Sequence, residues 1–170
     1  MKQRILIVDF GSQVTKLIAR RIRDFGVFSE IIPFELLQKK KLAKTNEVKG
    51  IIFSGGPSSV DKINSPKIPK FIYDLNLPIL GICYGLQLLC RDLGGAVKFS
   101  KEREFGKTKI TIKKKSILFN NFYSPKKTYQ VWMSHSDNVI KVPKNFEILA
   151  SSENCEAVII QNKKKNIFGV

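Results

Sequence analysis

The chain has 170 residues, 43% of them hydrophobic and 26% charged, with a formal net charge of +16. That length suits one domain with a real core, and the composition is that of a globular protein rather than a disordered or fibrous one. No apolar stretch approaches the roughly 20 residues that span a bilayer, so no membrane partner is expected, and the N-terminus MKQRILIVDF lacks the long apolar core and cleavage site of a signal peptide, so a cytoplasmic location is expected.

Residues 4–10, RILIVDF, form a nearly continuous β-branched run, the pattern of a strand buried on both faces. Ser12 is placed to cap a helix. Val14, Leu17, Ile18, Ile22 and Phe25 then recur at helical spacing among basic residues, and Gly26 closes the segment. VFSEIIPF (27–34) reads as a second strand, GIIFSGGP (50–57) as a third running into a glycine turn, and PILGIC (78–83) as a fourth. A helix follows to about Leu93, before Gly94 and Gly95. This half predicts an open, mostly parallel α/β sheet flanked by helices.

The period then changes. KTKITIKKKSILF and TYQVWMSHSDNV alternate polar and apolar residues, and FEILASSE, EAVIIQ and NIFGV are three further short strands. These predict an added antiparallel region. No repeat or low-complexity linker divides residues 1–170, so one domain is expected. The sequence stops at Val170 in the middle of a strand pattern, which reads as a truncation.

Chemistry concentrates at the strand ends. Ligands of open α/β sheets bind beyond the carboxyl ends of the strands, where SGGPSS and GICYG fall. Cys83 stands between Gly81 and Gly85 where a strand becomes a helix. Serine hydrolases place their nucleophile on the same kind of tight elbow, which demands small neighbours. The helix N-terminus after Cys83 favours thiolate. The Tyr84 N–H is a natural oxyanion donor, with a second N–H from the GGP turn. A buried structural cysteine between turn glycines is the competing reading. Cys90 reads as a core residue, Cys155 carries no role, and the three cysteines show neither metal-ligand nor disulfide spacing. SGGPSSVD is similar to the S-G-G-x-D-S pyrophosphate loop, but Pro57 follows the glycines and Asp61 comes too late.

The ordered motifs ILIVDFGSQ, LIARRIRDFGV, GIIFSGGPSSV, GICYGLQLL, REFG and VWMSHSD resemble the class I (triad-type) glutamine amidotransferase domains, specifically the GMP synthase branch, from residue 4 to the last residue. DFGSQ, Tyr84 and WMSH point to that branch. The amidotransferases of anthranilate and carbamoyl-phosphate synthesis share the cysteine elbow. The resemblance implies that Cys83 attacks the side-chain amide of L-glutamine and releases ammonia through a glutamyl thioester, with oxyanions held by the N–H groups of Gly56 and Tyr84. It further implies that Gln87 contacts the substrate and that the backbone of Ser136 and Asp137 binds its α-amino and carboxylate groups. No cofactor or metal is implied for this domain. ATP and Mg2+ belong to an ATP pyrophosphatase domain or subunit, which aminates XMP to GMP. That domain and a dimerisation region are absent from the sequence.

Two departures stand out. The family often has glycine where Ser136 stands. The family's FGVQFHPE-like segment, which carries the triad histidine and glutamate, is matched only at Phe168–Val170. The single histidine, His135, falls in the substrate-binding region and is read as structural, not as the base. The chain alone is therefore expected to be inactive or nearly so. A non-catalytic, amidotransferase-like module that regulates a synthetase partner is the alternative.

The +16 charge comes from 24 lysines and 6 arginines, with lysine triplets at 39–41, 113–115 and 163–165, and no nucleic-acid signature accompanies them. It reads as a solvated surface. Titration with duplex DNA is expected to show weak, nonspecific binding that falls steeply with added salt; salt-resistant, sequence-selective binding would contradict this.

Overall fold

The computed structural model describes residues 3–37, 45–62, 64–119 and 122–170. The lysine triplet at 39–41 lies outside them. The elements are β1 (Arg4–Asp9), α1 (Thr15–Asp24), β2 (Phe28–Pro33), β3 (Val48–Phe53), α2 (Phe71–Asp74), β4 (Ile79–Gly81), α3 (Tyr84–Asp92), β5 (Ala96–Ile112), β6 (Thr128–Lys141), β7 (Glu147–Ser151), β8 (Ile159–Asn162) and β9 (Ile167–Gly169). The strands form one sheet in the order β2-β1-β3-β4-β9-β8-β7-β5-β6. Among the described residues, no helix is long and apolar enough to cross a membrane.

The expected architecture is present, a parallel half joined to an antiparallel one. β1 pairs in parallel with β2 and β3, and β3 with β4. Leu6, Ile7 and Val8 are essentially inaccessible, as a strand covered on both faces requires. β9 joins the two halves. It runs parallel to β4 while pairing antiparallel with β8, so it is the seam between the two halves. The larger core lies over the parallel half, and a second cluster around Ile110, Ile112, Phe119 and Leu149 supports the antiparallel half.

Three local readings are corrected. Ser12 is not the helix cap: α1 begins at Thr15, and the Ser12 hydroxyl accepts the Val14 N–H at 3.2 Å within the preceding turn. The buried face of α1 is Thr15 and Ala19, flanked by half-buried Ile18 and Ile22, whereas Val14, Leu17 and Phe25 face outward. The small residues bring the helix close to the sheet. The Thr15 hydroxyl donates to Asp9 Oδ1 at 2.8 Å, and the Ala19 carbonyl accepts the Ser29 hydroxyl at 3.1 Å. Finally, Ile117–Phe119 is a 3-10 turn whose Phe119 enters the second core, and β5 instead extends back to Ala96.

β3, β4 and the start of α3 touch at glycines. A Cβ on Gly85 would run into the Phe53 carbonyl oxygen, and one on Gly81 would lie 2.6 Å from the Gly85 carbonyl carbon. Backbone cannot yield as a flexible side chain can. Gly85→Ala is therefore expected to cost about 1–3 kcal/mol, the range for overpacking, read as a lower urea midpoint at unchanged slope. An unaltered midpoint would contradict the contact.

Candidate active site

The glycine contact places the next feature. The chain leaves β4 at Gly81, and Cys83 adopts φ 52°, ψ −105° before α3 begins at Tyr84. This backbone conformation costs an ordinary side chain about 1–3 kcal/mol and persists only where the surroundings impose it. They do so from several directions. The Ile82 N–H donates to the Phe53 carbonyl at 2.9 Å, and the Cys83 N–H to the Val170 carbonyl at 2.6 Å. The Val170 N–H returns to the Gly81 carbonyl at 2.9 Å, and the Cys83 carbonyl accepts the Gln87 N–H at 3.1 Å. The elbow is thus clamped between β3 and the end of β9.

The thiol is half-buried and donates to the Ser134 carbonyl of β6, with Sγ 3.6 Å away. In front of it stands the turn after β3. A Cβ on Gly55 would lie 3.8 Å from Cys83 Cβ and 3.5 Å from Ser12 Oγ, so a side chain there would fill the space between the thiol and the loop after β1. Gly56 packs on Phe10, where a Cβ would come 2.7 Å from the Phe10 carbonyl oxygen. The Tyr84 N–H opens α3 and has no intrahelical acceptor; it interacts with the Cys83 sulfur.

The sequence led us to expect thiolate at the helix N-terminus. Burial outweighs that effect and pushes the Cys83 thiol above its ordinary range. The Tyr84 N–H pulls it down, and the nearby Asp137 carboxylate pushes it up again. The resting group is a protonated thiol.

Gln87, Ser136 and Asp137 gather behind the elbow. Gln87 is buried and donates through Nε2 to the Asp137 carbonyl at 3.0 Å, which fixes the 134–137 segment against α3. Asp137 is buried and Ser136 half-buried. His135 turns elsewhere. Its Nε2 lies 3.1 Å from Glu104 Oε2, a carboxylate with 3% side-chain exposure. Among the described residues no cluster of histidine, cysteine and carboxylate side chains suits a metal ion.

Two features escaped sequence reading. Glu104 sits in the REFG motif, but its cross-strand pairing with His135 needs the β5–β6 register. Arg91, the lone cation in the apolar helix YGLQLLCRD, binds the loop after the glycine turn. A charge inside a buried helix was the available signal.

Known proteins share this fold. Residues 6–170 match the family model for glutamine amidotransferase class-I. The chain is 50% identical over 164 residues to the GMP synthase [glutamine-hydrolyzing] of Agrobacterium fabrum, covering 96% of this chain and 31% of that protein. It is 44% identical to the Mesorhizobium japonicum protein of the same name, covering 98% and 32%. The chain therefore spans about a third of the length of these curated relatives. A solved structure from Thermoplasma acidophilum, described as a GMP synthase subunit, superposes with a TM-score of 0.84 at 32% identity, over all of this chain and 83% of that one. A Thermotoga maritima glutamine amidotransferase has a TM-score of 0.77 at 19% identity, over all of this chain and 75% of that one, and shares the fold.

The raised thiol sets a pH dependence. Because the folded state favours the protonated form, thiolate accumulates only at alkaline pH. Alkylation of Cys83 by iodoacetamide is expected to rise about tenfold per pH unit from pH 7, with no plateau below about pH 8.5. Mass spectrometry of the labelled peptide reads the rate; a plateau near neutrality would contradict the assignment.

Proposed function

The chain belongs to the class-I glutamine amidotransferase family, and on that premise we propose that it is the glutamine-hydrolysing part of a GMP synthase, with Cys83 as nucleophile. The observation that carries this reading is the imposed backbone of Cys83, which holds the sulfur beside the Tyr84 N–H and opposite the side-chain-free Gly55. Strain of this kind at a half-buried thiol has no use in a purely structural cysteine.

The thiol gives its proton to a base, and sulfur attacks the side-chain amide carbon of glutamine. The carbonyl oxygen becomes an oxyanion facing the N–H groups of Gly56 and Tyr84. The C–N bond breaks, the nitrogen takes up the proton and leaves as ammonia, and a γ-glutamyl thioester remains. Water then attacks the thioester carbon, the C–S bond breaks, and glutamate and the thiol are released. The backbone of Ser136 and Asp137 holds the α-amino and carboxylate groups. Gln87 gives one Nε2 hydrogen to the Asp137 carbonyl, which shapes the segment that binds the substrate, and keeps its second N–H and Oε1 for the substrate.

A protonated thiol needs a base, and His135 is held by Glu104. We place the base outside these 170 residues. Ammonia passes to an ATP pyrophosphatase partner, fused or separate, in a cytoplasmic setting. ATP and Mg2+ serve that partner in aminating XMP to GMP.

Two measurements test this. The purified chain is expected to release ammonia from glutamine at least ~10⁴-fold more slowly than a complete amidotransferase, the scale of losing a triad member. A γ-chloroketone analogue of glutamine is nevertheless expected to label Cys83 stoichiometrically, with glutamine slowing the labelling and Cys83→Ser abolishing it. Rapid ammonia release would show that the chain supplies its own base. Labelling indifferent to glutamine would remove glutamine as the substrate.

A further inference from the structure

The glycine turn and α3 each present one donor of the oxyanion site, yet they belong to separate parts of the chain. The described residues after Gly56, up to α2, carry no strand and no helix of their own. Val60 and Ile68 share the core with Leu88 and Leu89 of α3, and the guanidinium of Arg91 adds polar bonds between the two. Arg91 Nη1 donates to the Val60 carbonyl at 3.1 Å and to the Ser65 hydroxyl at 2.8 Å, and Nη2 donates to the Pro66 carbonyl at 3.1 Å. The group is itself oriented from behind. Its Nε donates to Asp92 Oδ1 at 2.9 Å, and Asp92 Oδ2 accepts the Tyr73 hydroxyl at 3.0 Å.

The bridge joins the segments that carry the two donors. Val60, the first carbonyl it binds, lies four residues beyond Gly56. At the other end Arg91 lies seven residues beyond Tyr84, two helical turns along the same face. The Tyr84 ring is buried, and its hydroxyl lies beside Ser65. Ser65 in turn donates to the Val60 carbonyl at 3.0 Å. Tyr84, Ser65, Arg91 and Val60 therefore form one contiguous contact between the elbow and the loop.

We propose that Arg91 is a positioning residue that locks Val60, Ser65 and Pro66 onto the helix of the nucleophile, so that the N–H groups of Gly56 and Tyr84 keep the spacing an oxyanion requires. The proposal rests on reading Cys83 as a glutaminase nucleophile. A planar fork with several fixed donors is needed, because three acceptors and a carboxylate must be met at once; a lysine ammonium meets them only in part. Displacing one donor by about 1 Å costs on the order of 100-fold in a reaction that depends on it, while chemistry that forms no oxyanion is unaffected.

Two electrophiles separate these effects in the full 170-residue chain. The glutamine γ-chloroketone reacts through a tetrahedral oxyanion, whereas iodoacetamide alkylates sulfur by direct displacement. Arg91→Ala is expected to slow chloroketone labelling of Cys83 about 10–100-fold with the iodoacetamide rate within about twofold of wild type. Arg91→Lys is expected to fall between. Ser65→Ala, which removes one acceptor and keeps the rest, is expected to act in the same direction by a few-fold and serves if Arg91→Ala does not fold. An unchanged ratio of the two rates in Arg91→Lys and Ser65→Ala overturns the proposal, as does parallel change of both rates, which marks a merely structural role. A wild-type chain that takes iodoacetamide but not the chloroketone overturns the glutaminase reading itself, and the proposal with it.

Discussion

The structure depends on holding one non-glycine residue at positive φ. Cys83 cannot rest in that conformation on local preference, and the sheet around it supplies what local preference does not. Phe53 at the end of β3 and Val170 beyond β9 receive the two N–H groups that the bend turns away from α3. Gly81 and Gly85 let the backbones of β4, β3 and α3 close to contact distance. The central strands have their buried, branched sequences because a clamp of this kind must not flex. Leu6, Val8, Ile51 and Phe53 pack in the same core that carries Tyr84, Leu88 and Leu89 from α3.

Two effects compete at the thiol, and their order decides its resting state. A helix N-terminus contributes a fraction of a charge that favours thiolate, whereas burial removes the water that would solvate it. Here burial dominates, and Asp137 adds to it. A protonated thiol is less prone to oxidation and to chance electrophiles.

Much of this was legible in the residues. The elbow could be read because glycine on either side of Cys83, at the switch from strand to helix pattern, fits a tight turn, although a buried structural cysteine fitted that motif as well until the second glycine turn was weighed with it. The parallel half could be read because RILIVDF and GIIF have no polar face to present. Further features were hidden for identifiable reasons. The orientation of α1 went astray because Val14 and Leu17 look like core residues, while the contacts are made by Thr15 and Ala19, whose value lies in being small. The start of β5 was missed because AVKFSKEREFG is broken by charge, and one of those charges, Glu104, is buried by a partner on β6. The direction of the Cys83 shift was not readable, since burial is a sum over residues far apart in sequence. Arg91 was visible as an oddity, but its three acceptors lie in a loop without a pattern.

The position of β9 has a consequence in time. It is threaded between β4 and β8, so its central partner was made far earlier in synthesis than β9 itself. Contacts between such distant segments form late, because the intervening loop must be closed before they return anything. Until β9 arrives, the N–H of Cys83 lacks its acceptor at Val170, and the residue is free to relax out of its imposed conformation. A partly folded chain would thus carry Cys83 without its imposed backbone, and the bend would mature only on completion of the sheet.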